Sequence, residues 1–304
     1  MRIVVLATGG TIAGVGEPGK NTGYESGQIA VADLVSAVPG ICKLAEISAE
    51  QICNVNSDDI TAEIWLQLAR RIDELCGSSS VDGVVVTHGT DTMDETAFFL
   101  ALTLKTKKPV VLTGSMRPAT AAEPDGPANL FGAVKSAVEL AKNNTTNRNV
   151  YVFFGGELLD ACKVQKCSAS DLQPMHADEM PVTELPCFDV SCVTTLPKVN
   201  VVYFGVDSDP RMLEYAASIS DGIVIAGAGS GEFSKAFSEA LRRIEIPVVV
   251  STRINHGYVT LNETLANGRI SAGRLPPQKA AVLLRLALMQ THEQLEINKY
   301  FSLF

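Results

Sequence analysis

Short runs of β-branched apolar residues, each closed by glycine or polar residues and then followed by helical spacing, set the rhythm of this chain. Ile3-Val4-Val5-Leu6 predicts a fully buried strand over residues 2–8, ended by Gly9-Gly10, where the backbone turns without a Cβ penalty. Val84-Val85-Val86-Thr87 predicts a central buried strand that stops at His88-Gly89-Thr90-Asp91, just before the helical spacing of Phe98, Phe99 and Leu102. Between these two, the pattern gives a short helix over 31–38 stopped by Pro39-Gly40, a further strand, and a polar turn from Asn54 to Asp59. Asp58 or Asp59 is placed to cap the next helix, about residues 60–76. A strand over 109–113, a helix at about 127–142 and a strand over 151–154 follow. Strands alternating with helices imply βαβ units and a parallel sheet.

After Phe154 the period becomes irregular through Pro197, an interval holding Pro174, Pro181, Pro186 and Pro197 and the best candidate for a domain link. Strands over 201–204, 222–226 and 247–251 then alternate with helical stretches at about 211–218 and 233–243, and terminal helices run from about 278–290 on toward Tyr300. The expected fold is a two-domain α/β protein. Its larger N-terminal domain (1–185) has a mostly parallel sheet flanked by helices, and a smaller C-terminal α/β domain (199–304) follows a link at about 186–198. A length of 304 residues suits two cores, and 46% hydrophobic against 19% charged residues places the chain among compact globular proteins.

Charge changes the picture of partners. A formal net charge of -9 without a Lys/Arg cluster lacks the phosphate-neutralising footprint of a nucleic-acid binder. No apolar run is long enough to span a bilayer, and Met1-Arg2 leads into a strand rather than a signal-peptide core, so the expected setting is cytoplasmic, or periplasmic for a processed form. The 7 cysteines favour free thiols over a disulfide framework. Cys162-x4-Cys167 and Cys187-x4-Cys192 nonetheless lie at the edge of four-cysteine zinc spacings, with strand-borne free thiols as the competing outcome.

Two glycine-threonine turns close two buried strands, Gly9-Gly10-Thr11 and Gly89-Thr90-Asp91. A hydroxyl there stands at the mouth of a site, and adjacent glycines let backbone N–H groups face a developing oxyanion, which suits acyl transfer. A threonine hydroxyl needs a base or proton relay, and Tyr24, Asp91 and Lys166 are the candidate suppliers. Tyr24 lies in a stretch, residues 14–27, with five glycines and turn chemistry, which reads as a lid beside the first strand's end. Composition alone makes Lys166 a surface lysine, and Thr or Asp at such turns is also an ordinary helix cap. A phosphate cradle at Ala7 to Gly14 lacks both the G-x-G-x-x-G spacing and the Walker lysine. The four histidines show no metal-ligand spacing, and His88 reads as a packed or hydrogen-bonded residue behind its turn.

Ala7-Thr8-Gly9-Gly10-Thr11-Ile12-Ala13-Gly14 and Thr87-His88-Gly89-Thr90-Asp91-Thr92-Met93 resemble the two signature motifs of the bacterial-type L-asparaginases, the asparaginase/glutaminase family. The similarity continues through Gly114-Ser115-Met116-Arg117-Pro118, Asp125 to Leu130, Leu196 to Val199 and Leu275 to Ala280, and so covers nearly the whole chain. The resemblance implies hydrolysis of asparagine, and often glutamine, without metal or organic cofactor. It implies Thr11 as nucleophile of an acyl-enzyme assisted by Tyr24, and Thr90, Asp91 and Lys166 as the second hydroxyl, carboxylate and lysine relay. Ser57 and Asp58 would hold the substrate's α-carboxylate and α-ammonium, with Asp91 also meeting the α-amino group. A homotetramer of intimate dimers is implied too, in which Glu232 and Glu263 reach across to a neighbour's site. The chain departs from the family pattern near Cys162-Lys163, where a basic residue usually precedes the lysine, and over 172–187, which is shorter and lacks the usual glycine-bearing hairpin. That departure keeps open a non-catalytic aspartate or asparagine sensor with an impaired relay near Lys166. A glutamyl-tRNA amidotransferase subunit is a third reading, opposed by the missing basic surface.

Overall fold

The computed structural model describes residues 1–143, 149–179, 184–260 and 269–304. Two compact units divide it: Met1–Asp178 with Cys187–Thr194, and Glu179–Pro186 with Thr195–Phe304. In the first, strands β1 (Arg2–Gly9), β2 (Glu46–Val55), β3 (Gly83–Thr87), β4 (Val110–Thr113) and β5 (Val150–Phe154) run parallel in the order β2-β1-β3-β4-β5. Val4 pairs in register with Val84, and Val84 with Val110, so the β-branched runs stack across the sheet centre. These three strands are buried along almost their whole length, which is why they read as unbroken apolar runs. Edge strand β2 has no fully buried residue, and its period is correspondingly weak.

Helices α1 (Val31–Ser36), α2 (Ala62–Gly77), α3 (Met93–Thr103) and α4 (Gly126–Asn143) complete the βαβ units. One core joins Ile3, Val5, Val85 and Val111 to Val31 and Val35 of α1 and to Leu130, Ala133, Val134 and Ala137 of α4. In α2, Trp65, Leu68, Ala69, Ile72 and Cys76 recur at three- and four-residue intervals and are buried. Trp65 stacks on Phe99 of α3 with ring centroids 5.0 Å apart. The cap of α2 corrects the sequence expectation. Thr61, not Asp58 or Asp59, accepts the bond from the Ile64 N–H at 3.3 Å, because the two aspartates belong to a separate single turn, Ser57–Asp59, that ends before the helix begins.

The irregular interval holds more structure than its pattern predicts. Strand β6 (Glu157–Asp160) folds back antiparallel on β5 through Gly155-Gly156, both with positive φ, the requirement of the tightest hairpin turn. Strands β7 (Val164–Lys166) and β8 (Met175–Ala177) form a two-stranded antiparallel ribbon in which Lys166 pairs with Met175. Residues 187–194 return to the first unit: Phe188 is buried and its N–H bonds Leu102 O at 2.8 Å, Asp189 meets Lys105 at 2.7 Å, and Arg70 bonds Val193 O.

The second unit is a parallel sheet in the order β12-β11-β10-β9, from β9 (Val199–Tyr203), β10 (Gly222–Gly227), β11 (Val248–Thr252) and the short β12 (Ile270–Ser271). Helices α5 (Arg211–Ser218) and α6 (Lys235–Leu241) pack with Ile223, Ile225 and Val248, and Phe204 meets Phe237 edge-on at 5.3 Å. Helix α7 (Pro277–Leu288) is buried nearly all round, and α8 (Gln294–Phe301) closes the described chain.

All seven cysteines are free thiols. The four-cysteine zinc arrangement is not formed. Cys162 is buried, Cys187 and Cys192 are exposed, and the described residues contain no cluster of His, Cys, Asp and Glu fit to hold a metal. Among the described residues no helix is long and apolar enough to cross a membrane. Because Thr61 alone caps α2, Thr61→Ala is expected to cost about 1 kcal/mol in urea unfolding, while Asp59→Ala stays within about 0.5 kcal/mol. Equal losses in the two variants would contradict the capping assignment.

Candidate active site

The carboxyl end of β1 is shaped by two glycines with φ of 106° and 81°, Gly9 and Gly10. A Cβ on Gly10 would lie 2.5 Å from the Gly89 nitrogen and 2.6 Å from its Cα, so the two glycine-threonine turns touch backbone to backbone. Thr11 opens a single turn immediately after Gly10, and its Oγ1 lies 2.8 Å from the Tyr24 hydroxyl. The glycine-rich stretch bearing Tyr24 is stitched down. Val15 and Glu25 exchange two backbone bonds of 2.9 Å, Gly16 donates to Thr120 Oγ1 at 3.0 Å, and Gly19 donates to Thr120 O at 2.9 Å.

At the end of β3, Thr90 is buried while the Asp91 side chain is 68% exposed. Lys166 reaches both from β7: its Nζ donates to Thr90 Oγ1 at 2.8 Å and to Asp91 Oδ1 at 2.5 Å. The lysine side chain is only 14% exposed, so it is no ordinary surface lysine. Lys166 ends β7, ahead of residues 172–187, and that segment contributes β8, the strand with which β7 pairs. The Thr90 hydroxyl donates in turn to Met116 Sδ at 3.6 Å.

Ser57, at the end of β2, is buried against Gly89, where any Cβ would come within 2.8 Å of its Oγ. Ser57 Oγ accepts from the Asp91 N–H at 3.2 Å and its carbonyl accepts from Thr92 Oγ1 at 2.6 Å. Its own O–H remains available as a donor, and Asp58 beside it is exposed. Thr11, Ser57, Asp58, Thr90 and Asp91 therefore follow the adjoining ends of β1, β2 and β3, where Tyr24 reaches Thr11 from the glycine-rich stretch and Lys166 reaches Thr90 and Asp91 from β7. Glu232 belongs to the second unit, exposed on a turn after β10 where it exchanges two backbone bonds with Ala228, and Glu263 lies outside the described residues.

Two supports were not predicted from the residues. Asp125 accepts from the Met116 N–H at 2.8 Å and the Arg117 N–H at 2.9 Å, and Asn129 bonds Gly114 O at 2.9 Å and Gly155 N at 3.1 Å, which locks the turn after β4. Their four-residue spacing at a helix start was the available signal. Behind Gly89, His88 is fully buried, with Nδ1 2.6 Å from Gly89 O and Nε2 3.0 Å from Thr96 Oγ1, which also accepts the Trp65 indole N–H at 2.8 Å. A carbonyl partner requires the proton on Nδ1, so Nε2 accepts from Thr96 and both ring nitrogens of His88 are matched. Burial lowers the His88 pKa to about 4, only partly opposed by its bond to Gly89 O.

In class, the molecule is a parallel α/β protein with two hydroxyls, a carboxylate and an ammonium gathered at its strand ends. The model for "Asparaginase, N-terminal" matches residues 2–186, and that for "Glutaminase/Asparaginase C-terminal domain" matches 198–301. The probable periplasmic L-asparaginase of Haemophilus influenzae is 39% identical, over 99% of this chain and 93% of its own length. L-asparaginase 2 of Escherichia coli is 38% identical over 99% and 92%, and the glutaminase-asparaginase of Pseudomonas fluorescens 33% over 98% and 89%. The crystal structure of a probable cytoplasmic L-asparaginase from Campylobacter jejuni superposes with a TM-score of 0.92 at 39% identity, covering 100% of this chain and 99% of that one. The chain belongs to the asparaginase/glutaminase family of amidohydrolases.

The neutral His88 gives a pH signature. The unfolded chain binds a proton near pH 6.5 that the folded state refuses until about pH 4, so stability falls on acidification across that window, by about 3 kcal/mol in total. Urea unfolding of the wild type and His88→Gln at pH 7.5 and 4.5 checks this. The variant is expected to show the smaller acid loss, and identical losses would contradict it.

Proposed function

We propose that this protein hydrolyses L-asparagine to L-aspartate and ammonia through a threonine nucleophile and an acyl-enzyme, with L-glutamine as a second substrate. The observation that carries the reading is the Lys166 ammonium within 2.8 Å of Thr90 Oγ1, on a turn whose backbone touches the one bearing Thr11. The sensor reading required an impaired relay, and this contact favours the hydrolase. Family membership, with relatives named both L-asparaginase and glutaminase-asparaginase, supports the substrate class.

In the first half-reaction Thr11 Oγ1 attacks the side-chain amide carbon while its proton passes to Tyr24 Oη, which is 2.8 Å away and hands its own proton on toward the amide nitrogen. The tetrahedral oxyanion collapses, the amide nitrogen is protonated and leaves as ammonia, and an ester on Thr11 remains. In the second half, water activated at the Thr90 and Lys166 pair attacks the ester, and the proton it gives up ends on the departing Thr11 oxygen, which returns as a free hydroxyl with aspartate as product. The Ser57 hydroxyl donates to the substrate's α-carboxylate, while Asp58 and the carboxylate of Asp91 receive its α-ammonium. Asp91 also holds Lys166 against Thr90. No cofactor enters this scheme.

A homotetramer in which a neighbour's Glu232 and Glu263 complete each site is part of the proposal. So is a cytoplasmic setting, the one named for the Campylobacter jejuni structure. A coupled ammonia assay with both amides tests the substrate. Asparagine is expected to be preferred by roughly 10- to 200-fold in kcat/KM, the range that one methylene supplies. Thr11→Ala and Thr90→Val are each expected to lower kcat by roughly 100-fold or more at an unchanged unfolding midpoint. Ammonia release by Thr11→Ala at the wild-type rate would overturn the nucleophile.

A further inference from the structure

We infer that Met116 is an oxidation site through which peroxide reversibly silences the Thr90 relay. The inference rests on the reading of Thr90 as part of a hydrolytic relay, and it adds a modification that this reading does not require.

Thr90 Oγ1 has two neighbours of opposite kind. Lys166 Nζ donates to it at 2.8 Å, so the hydroxyl proton must point elsewhere, and it points to Met116 Sδ at 3.6 Å. A thioether is a weak acceptor, so the proton is held loosely and is free to be exchanged with substrate or water. The backbone that carries the sulfur is also held in place. The Met116 N–H is bonded to Asp125 Oδ2 at 2.8 Å, and the next N–H to Asp125 Oδ1 at 2.9 Å.

Met93 and Met175 are fully buried, whereas Met116 is half-buried at the strand ends; Met289, just after α7 in the second unit, is half-buried too and is the reference of matched exposure. Met1 at 45% and Met212 at 60% exposure are accessible thioethers that touch none of the relay residues named above, and they serve as internal references.

The chemistry balances with hydrogen peroxide as the oxidant. A lone pair of Sδ attacks one peroxide oxygen, the O–O bond breaks, an S–O bond forms, and water leaves. Sulfur is oxidised by two electrons and peroxide reduced by two. The sulfoxide oxygen is a strong acceptor beside the Thr90 hydroxyl and captures its proton, and it adds bulk where substrate passes. Reversal needs a dithiol: a methionine sulfoxide reductase returns the thioether and water as its own thiols become a disulfide.

The test treats the full chain with hydrogen peroxide and then with dithiothreitol, which restores oxidised cysteines but not sulfoxides. Sulfoxide at each methionine is mapped by peptide mass spectrometry alongside ammonia release from L-asparagine. The expected result is an activity loss of about tenfold or more that tracks the Met116 sulfoxide rather than that of Met1, Met212 or Met289. Methionine sulfoxide reductases A and B together restore the rate. Met116→Leu, normalised to its own untreated rate, resists peroxide, and Met116→Gln, which places a carbonyl acceptor near the same point, is slow without treatment. Inactivation of Met116→Leu at the wild-type rate, or full activity with Met116 oxidised, overturns the inference. If the untreated wild type releases no ammonia, the hydrolase reading fails by itself, and the switch is judged on calorimetric L-aspartate binding. Affinity weakened several-fold by Met116 oxidation retains it, and unchanged affinity overturns it.

Discussion

The structure of the first unit depends on backbones meeting where side chains would forbid it. Gly10, with φ of 81°, abuts Gly89 so closely that a Cβ would sit 2.5 Å from the Gly89 nitrogen. A Cβ on Gly9 would sit 2.5 Å from Val55 O, and one on Gly114 would sit 2.3 Å from His88 O. The ends of β1, β2, β3 and β4 are therefore drawn together by missing side chains, and the residues just beyond the glycines, Thr11 and Thr90, inherit that proximity. A parallel sheet places strand ends side by side, and the glycines remove the bulk that would hold their turns apart.

Two polar frameworks keep this junction in one geometry. Behind it, Trp65, Thr96 and His88 form a chain of matched donors and acceptors that ends on the carbonyl of Gly89, in a region from which water is excluded. Leaving any member unpaired there would cost the desolvation of a buried polar group, so the chain holds one tautomer and one ring orientation. Beside it, Asp125 and Asn129 gather the turn after β4, and that turn carries Met116 to Thr90 and Thr120 to the glycine-rich stretch. The stretch bearing Tyr24 is thus pinned at its base by backbone pairing and further along by Thr120. That pinning leaves the Tyr24 phenol 2.8 Å from the Thr11 hydroxyl.

The charged part of the site follows another logic. Lys166 is mostly covered and Asp91 mostly exposed, so their ion pair spans the boundary between protein and solvent. Its value lies in direction rather than in stability: the carboxylate fixes one donor of the ammonium and leaves another aimed at Thr90 Oγ1. A ribbon of only three residues per strand suffices to deliver that lysine, because Val164 and Met175 are buried and anchor it.

Local sequence carried what local physics encodes. Unbroken β-branched runs can only be satisfied by strands buried on both faces, and so β1, β3, β4, β10 and β11 were legible, as were the helices between them and the positive-φ turns that end β1. The motifs around Thr11 and Thr90 were legible for the same reason, since hydroxyl-bearing residues after glycines at strand ends form a local pattern. Strands β6 to β8 were not, being three or four residues long and stabilised by pairing rather than by period; only Gly155-Gly156 hinted at the first of them. The cap of α2 was decided by where the Ser57 turn ends, which tertiary contact with Gly89 dictates. The partners of Lys166, 76 residues from Thr90, and of Met116, 26 residues away, were likewise set by packing. Periodicity and backbone preference act over a few residues, whereas the meeting of side chains from separate strands is settled by sheet order and by the absence of a Cβ at the few points where turns must touch.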